Sequence, residues 1–213
     1  PAAGNGSNSV TLRVTAVDHA GNTSEKEREL SFDTTEPVIG IGFDDSEVKN
    51  GHYFNSARTV TATFRERNFS PKQSKLMVRC GNEDVSLSIE QLSEGKGAAY
   101  GISVKGMEDS QGDVPWEERT DERTVTYTFL IGGGEGTDLD YRGLRFTCMD
   151  AAGNTEEKAE EKYTDFTVDR TAPVVTLSYR AGKSGVTGRI GTNSSAPYFT
   201  QEPVTPTVTV QER

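Results

Sequence analysis

Two stretches of this chain are nearly identical: Val17-Asp-His-Ala-Gly-Asn-Thr23 and Met149-Asp-Ala-Ala-Gly-Asn-Thr155. In each stretch the Asp carboxylate can accept backbone N–H groups just beyond it, and the Gly can supply the positive φ that a tight turn needs. The stretch therefore predicts the end of a strand followed by a turn. Its recurrence predicts a tandem-repeat protein and argues against a chain built around one active site.

An alternating apolar pattern leads into each copy of the turn. Apolar residues at every second position predict a strand with one buried face. The positions predicted to face inward are Val10, Leu12, Val14 and Ala16 in the first copy, and Leu144, Phe146 and Cys148 in the second.

A charged segment follows each turn, at 24–29 and at 156–162. Lys and Arg alternate with Glu there, so the charges neutralise one another locally, and we interpret both segments as solvated hairpin loops. A charged interaction surface or a metal site is the alternative. Each segment leads to a returning strand and then to a proline-containing joint, Asp33-Thr-Thr-Glu-Pro37 and Asp169-Arg-Thr-Ala-Pro173.

A second repeated element divides the chain into domains. Tyr53-Phe54 precedes a strand pattern at 61–67, and Tyr198-Phe199 precedes a similar one at 207–213. The order of the two elements predicts the last hairpin of one repeat at 1–33, a complete repeat at 37–169, and the first strands of a third repeat at 173–213.

The complete repeat contains short strand patterns separated by turn signals. With no sustained helical periodicity, they predict an all-β sandwich or barrel, with one possible helical turn near Ile89–Glu94. The predicted strands cover 38–43, 59–65, 75–80, 84–90, 98–105, 123–131, 144–149 and 163–169. Strands are also predicted outside this repeat, at 174–179 among others.

Composition limits the classes of partner. The net charge of −10 makes extensive contacts to nucleic-acid phosphates unfavourable, because such binding needs clustered Lys and Arg. No apolar run approaches the roughly 20 residues of a membrane span. The chain begins and ends inside repeat patterns, so we expect a piece of a longer protein, and the lack of a secretion signal carries no information about location.

These motifs together resemble the immunoglobulin-like repeats of large bacterial surface proteins, chiefly Gram-positive ones. The resemblance rests on the turns at 18–22 and 150–154, on the two joints, and on the segment Arg58–Pro71. Trp116, the strand pattern at 124–129 and Asp140-Tyr141 fit the middle of such a repeat. Tyr141 stands one residue further from Asp150 than the family pattern has it, which predicts a bulge at Gly143.

The resemblance implies a structural role. We expect a stalk or an adhesive array on the bacterial cell surface or cell wall, without catalysis or cofactors, whose neighbours are further repeats of the same chain. The proline joints should limit bending, because proline fixes its own φ and restricts the preceding residue. A host or glycan surface ligand is a possible partner. The alternative is an accessory or carbohydrate-binding module of a large extracellular glycan-active enzyme.

Two cysteines, Cys80 and Cys148, are both predicted to point inward. A disulfide across neighbouring strands is one interpretation, and two separate small apolar side chains is the other. The second is favoured because Ala16 occupies the position of Cys148 in the first copy. The sequence contains no Cys-x-x-Cys pair, so a structural zinc site is not predicted.

Carboxylates at the joints raise the question of calcium. Asp33 and Glu36 lie at the first joint, and Asp165 and Asp169 lie at the second. The favoured interpretation is that each Asp caps a turn, since no Asp-x-Asp-x-Asp loop is present. We therefore predict no metal site.

Residues suited to catalysis are few. His19 occupies the variable position of the repeated turn, and His52 follows a turn-forming Asn-Gly pair. The glycine run at 132–136 is interpreted as a hairpin tip, because it lacks the Lys-Ser/Thr of a phosphate-binding loop. Trp116 could stack on a sugar ring, but we favour a position in the core.

Overall fold

The structure, a computed structural model, describes residues 7–44, 52–134, 138–160, 164–181, 186–189 and 204–212. The chain divides into two compact units, Pro1–Arg170 and Thr171–Arg213. The predicted repeat element at Tyr198-Phe199 lies outside the described residues.

Nearly all of the regular secondary structure in the first unit is β-strand. The strands before the helix are β1 (Ser7–Val17), β2 (Thr23–Phe32), β3 (Val38–Phe43), β4 (Tyr53–Phe54), β5 (Arg58–Arg65), β6 (Lys75–Cys80) and β7 (Glu83–Ser88). The short helix α1 (Ile89–Ser93) follows, and then β8 (Ile102–Asp109), β9 (Thr124–Ile131), β10 (Leu139–Met149), β11 (Thr155–Lys158) and β12 (Phe166–Val168). Short 3-10 turns occupy Ala98–Tyr100 and Trp116–Glu118.

Two sheets form the sandwich. The first has the strand order β3-β5-β9-β8, and the second has the order β4-β12-β10-β6-β7, with β11 also paired to β10. Neighbouring strands are antiparallel except β4 and β12. Aromatic rings join the sheets: Phe146 of β10 lies with its ring centroid 5.4 Å from that of Phe129 and 6.2 Å from that of Phe64. The predicted all-β, immunoglobulin-like sandwich is confirmed.

Side-chain alternation builds the core. In β5 the residues Val60, Ala62 and Phe64 are fully buried, while the threonines between them are only partly so. Each fully buried aliphatic or aromatic side chain stabilises the fold by about 1.5–3 kcal/mol. The predicted helical turn is confirmed as α1, which has a capping box between Ser88 and Gln91 and buries Ile89 and Leu92. A helix this short depends on that packing.

A buried cation lies at one edge of this core. The guanidinium of Arg58, whose side chain is 1 % exposed, lies 4.1 Å from the ring centroid of Phe54, 4.9 Å from that of Phe43 and 5.2 Å from that of Phe166. It also donates to the Asp44 carbonyl at 3.1 Å. Aromatic faces attract a desolvated cation, so Arg58 joins strands of both sheets.

The predicted bulge in β10 is confirmed. Gly143 has φ +62°, and the register between β10 and β6 shifts between Arg142 and Arg145. Because of the extra residue, Tyr141 still points inward, is fully buried, and donates from its hydroxyl to the Tyr100 carbonyl at 2.8 Å. Burial raises the pKa of the Tyr141 phenol.

The interpretation of the charged segments as loops was wrong. Residues 24–29 belong to β2, which pairs with β1 along its length, and residues 156–158 belong to β11. Charged side chains can occupy a strand when their cross-strand partners carry the opposite charge. Arg13 of β1 does this, with ion pairs to Glu25 and Glu27 of β2. Residues 161–163 lie outside the described part.

The predicted buried face of β1 was also wrong. The strand forms as predicted, but Leu12 is 51 % exposed and Val14 is 56 % exposed. The physical reason is that β1 and β2 form a two-stranded sheet of their own. In β10 the equivalent residues, Leu144 and Phe146, are buried because the opposite sheet covers them.

The second unit contains one described sheet, with the order β14-β13-β15. Its strands are β13 (Val174–Ala181), β14 (Val186–Arg189) and β15 (Val204–Gln211), all antiparallel. The strands predicted at 174–179 and from 207 onward are thus present.

Strand β8 of the first unit begins later than predicted, because a 3-10 turn ending at Gly101 (φ +66°) occupies its first predicted positions.

Candidate functional site

The first joint is held against the sandwich by hydrogen bonds. Asp33 accepts the Thr35 N–H at one carboxylate oxygen (3.0 Å) and the Asn68 side-chain amide at the other (2.6 Å). Its backbone carbonyl accepts the side-chain amide of Asn154 at 3.2 Å. Pro37, at the end of the joint, is buried. We call Asp33, Glu66, Asn68, Asp150 and Asn154 the joint clasp.

The repeated turn forms one side of the joint clasp. One carboxylate oxygen of Asp150 accepts the N–H groups of Ala152, Gly153 and Asn154 at 2.8, 2.7 and 2.9 Å. The other accepts the Asn154 side-chain amide at 2.7 Å. Gly153 has φ +96°, which only glycine adopts readily. The predicted strand end and turn are confirmed.

The first copy of the turn has the same geometry without burial. One carboxylate oxygen of Asp18 accepts the Ala20 and Asn22 N–H groups, each at 2.9 Å, and the other accepts the Asn22 side-chain amide at 2.8 Å. The Asn22 amide holds the pKa of Asp18 below its usual range. Since Asp18 is exposed and Asp150 is fully buried, the turn depends on its own sequence and not on its surroundings.

Three carboxylates meet inside the joint clasp. Asp33, Glu66 and Asp150 each place an oxygen so that all three lie within 4.8 Å of one another. Burial, together with the charges of Asp33 and Asp150, raises the pKa of Glu66 to about 7, against the opposing effect of the Asn68 N–H, which donates to Glu66 at 2.7 Å. Glu66 therefore changes its protonation state near neutral pH, well above the pH at which an ordinary glutamate does.

Geometry in the joint clasp favours a proton over a metal ion. Both carboxylate oxygens of Asp33 and both of Asp150 already accept hydrogen bonds from amides. A cation would have to displace these donors or share their acceptor oxygens. The calcium alternative had paired Asp33 with Glu36, whereas the structure brings Asp33 to Glu66 and Asp150. Glu66 was missed, although it continues the inward parity of Val60, Ala62 and Phe64 beyond the end of β5.

The carboxylates of the second joint serve other contacts. Asp165 accepts the Gly143 N–H at 2.8 Å and thereby holds the bulge of β10. The N–H of Asp169 donates to the Phe54 carbonyl at 2.8 Å. Arg170 donates to the carbonyls of Gly132 and Gly134. In the described part of the chain, Asp165 and Asp169 do not belong to a cluster of three acidic ligands.

One family model matches the first part of the chain. Residues 2–103 match the family model of the bacterial Ig-like domain (group 3). The resemblance to bacterial immunoglobulin-like domains is thus confirmed. The collagen-binding domain of the surface protein RspB from Erysipelothrix rhusiopathiae is a similar solved structure, with 14 % identity and a TM-score of 0.18. The comparison covers 78 % of this chain and 57 % of that one. No curated protein matches the chain.

The two cysteines of the immunoglobulin-like sandwich are thiols. Cys80 pairs with Tyr141 across β6 and β10, while Cys148 lies seven residues further along β10, about 20 Å away at strand spacing. Both are buried, and burial raises the pKa of Cys80 as well as that of Cys148, which reaches about 11. The predicted inward orientation is confirmed, and the disulfide alternative is wrong because the two sites are too far apart.

The predicted core position of Trp116 was wrong. It begins the 3-10 turn between β8 and β9 and is 44 % exposed, and its carbonyl accepts the Asn8 side-chain amide at 2.5 Å. A ring nitrogen of His52 lies 2.9 Å from the Asp165 carbonyl oxygen, and His19 lies in the exposed turn. No helix among the described residues has the length and apolar character needed to cross a membrane.

Proposed function

We propose that this chain is a structural, adhesive spacer of a bacterial surface protein, in which immunoglobulin-like repeats follow one another and no catalysis takes place. The observation that carries the proposal is the joint clasp. It fixes the segment that enters the sandwich through both side-chain and backbone contacts of Asp33. A joint held in this way resists bending better than a flexible linker of the same length.

Ion pairs beneath the joint clasp support the same role. Arg123, with 7 % of its side chain exposed, pairs with Asp109 at 2.8 Å and donates to the Arg67 carbonyl at 3.1 Å. Arg67 in turn pairs with Asp121 at 2.6 Å. Hydrogen bonds from the Arg123 guanidinium hold the pKa of Asp109 below its usual range. These charged pairs hold together the loops at the end of the sandwich where the joint enters.

Amide hydrogen exchange tests whether the joint clasp orders the joint. Exchange of the Thr35 N–H, which donates to the Asp33 carboxylate at 3.0 Å, requires the joint to leave the sandwich surface. We expect Asn154→Ala to accelerate this exchange about tenfold, because the Asp33 carbonyl loses its donor. Asn22→Ala removes the equivalent amide from the exposed turn and serves as the matched control, with an unchanged rate. Equal rates in the wild type and Asn154→Ala would contradict the proposal.

The accessory-module function also has one observation in its favour. Trp116 presents an exposed indole on a loop, and exposed aromatic faces are suited to stacking on sugar rings. Glycan-array binding that disappears in Trp116→Ala, with the melting temperature retained, would support this second function. Binding that the substitution leaves unchanged would exclude Trp116 as the contact.

A further inference from the structure

The outer face of the second sheet carries a groove lined by both charged and apolar side chains. Between β10, β6 and β7 lies a depression of about 450 Å³, with lining residues that include Met77, Arg79, Asp84, Ser86, Arg142 and Arg145. A second depression of about 550 Å³ shares Met77 and Ser86 with it and adds Lys72 and Lys75 together with Glu156 and Glu157. Five cationic side chains and three carboxylates thus line the two depressions, in a chain whose net charge is −10.

Two arginines in this groove are placed against each other. Arg79 of β6 and Arg142 of β10 are direct cross-strand partners, and both are exposed on the same face. Like charges in directly opposed positions destabilise a sheet. Such a pair is stabilised when an anion lies between the two guanidinium groups, because each can form two parallel hydrogen bonds to a sulfate, phosphate or carboxylate.

Neighbouring carboxylates neutralise this pair only weakly. The closest approach of Arg142 to Asp165 is 3.9 Å, at the outer limit of an ion pair. Arg79 makes no ion pair to a carboxylate of the described residues, and its guanidinium donates to the Gly81 carbonyl at 3.4 Å. Asp84, its partner on β7, is exposed.

The bulge in β10 creates the arrangement. Arg142 and Arg145 are three residues apart, so in a regular strand they would point to opposite faces. The extra residue at Gly143 turns both outward, and Asp165 holds that residue by its N–H. Bulges of this kind redirect side chains next to binding sites. Arg145 forms an ion pair with Glu157 at 3.2 Å, and its counterpart in the first copy, Arg13, does the same with Glu25. Arg79 and Arg142 differ from these two arginines because neither has a carboxylate partner at such a short distance.

We propose that this groove binds an extended anionic polysaccharide, with a sulfate or carboxylate group held between Arg79 and Arg142. Lys72 and Lys75 contact further anionic groups along the same chain. The described residues that line the two depressions include no aromatic ring on which nucleic-acid bases could stack. An acidic peptide would need apolar pockets for alternate side chains, whereas the partly exposed apolar side chains here are those of Met77 and Met149. The inference is independent of the spacer role.

Binding of defined polymers to the full chain tests the proposal. The probes are heparin, which carries sulfate and carboxylate, polygalacturonate, which carries carboxylate alone, polyglutamate as an acidic peptide, and neutral dextran. We expect heparin to bind at 50 mM NaCl, and Arg79→Gln/Arg142→Gln to weaken that binding at least tenfold. Binding of polygalacturonate as well would identify a general anionic site, and binding of heparin alone a sulfate site.

The control variant is Arg13→Gln/Arg28→Gln, which makes the same change in net charge on the exposed hairpin and should alter affinity less than twofold. The melting temperature of the Arg79→Gln/Arg142→Gln variant should not fall, because both side chains are exposed and repel each other. Three outcomes would overturn the proposal: no polysaccharide binding by the wild type, equal losses in both double variants, or polyglutamate binding as tight as that of heparin.

Discussion

Glu66 is a carboxylic acid enclosed by two other carboxylates, and its titration should govern how stability varies with pH. Its pKa is about 7 in the folded chain and 4.5 in the absence of these neighbours. The folded state therefore keeps a proton that the unfolded state has lost between these two values. Linkage then requires the free energy of unfolding to fall as pH rises from about 4.5 to 7.

The expected size of this effect is about 3 kcal/mol at pH 8, since one pKa unit corresponds to about 1.4 kcal/mol. Glu66→Gln should abolish it and raise the melting temperature at pH 8 while changing little at pH 5. Thermal melts of the wild type, Glu66→Gln and the exposed-site control Glu108→Gln between pH 5 and 8.5 measure this. Asp18 and Asp109, with lowered pKa values, act only at more acidic pH. Parallel profiles for wild type and Glu66→Gln would contradict the assignment.

The same three carboxylates predict the response to calcium. Because the amide donors of the joint clasp occupy the oxygens of Asp33 and Asp150, we expect 5 mM calcium or an excess of EDTA to move the melting temperature by less than about 1 °C. Calcium at a free concentration one hundred times its Kd would raise the free energy of unfolding by about 2.7 kcal/mol. A calcium-dependent rise of several degrees that Glu66→Gln removes would show that a cation site exists here.

Among the elements, the two repeated turns offer a matched pair of substitutions. Gly153 and Gly21 have φ +96° and +88°, and no atom lies within 4 Å of a Cβ added at either. Alanine at Gly153 should therefore cost only the backbone strain, about 1–2 kcal/mol. This corresponds to a fall of roughly 3–6 °C in the main melting transition.

Gly21→Ala carries the same strain but lies in the hairpin of β1 and β2, which shares little core with the sandwich. We expect the main transition to keep its midpoint in this variant. Calorimetry of both variants distinguishes the two cases. If Gly21→Ala lowers the midpoint as much as Gly153→Ala does, the hairpin belongs to the cooperative unit of the sandwich.

Side-chain parity predicted most of the strands, because the interior of a two-sheet fold selects apolar residues at alternate positions. The predicted bounds of β3 and β6 coincide with those observed. The charged strands β2 and β11 were missed because their alternation lies in cross-strand charge pairs. The joint clasp could not be predicted in full, since Asp33, Glu66 and Asp150 come together only through tertiary packing. Trp116 was misplaced because sequence does not distinguish an exposed aromatic loop residue from a core residue.

The division of the chain into repeats predicts a sandwich that folds on its own. Residues 33–170 contain both sheets and every member of the joint clasp. We expect this segment alone to melt cooperatively, with a midpoint within a few degrees of that of the complete chain. Of the residues that the structure describes, the buried core cluster runs from Ile39 to Val168 and lies within this segment. A drop of 10 °C or more on removing residues 1–32 and 171–213 would show that the ends share one core with the middle.

The single inserted residue in β10 has a wider consequence for how this surface can change. Deleting Gly143 would shift the frame of the four residues before it, so that Arg142 would be driven toward the interior and Tyr141 toward water. The presence or absence of this one residue thus determines whether Arg142 or Tyr141 lies on the outer face of the sheet, while the rest of the sandwich keeps its structure. A related sandwich that gains or loses one residue here exchanges a cationic side chain for an aromatic one on that face in a single step.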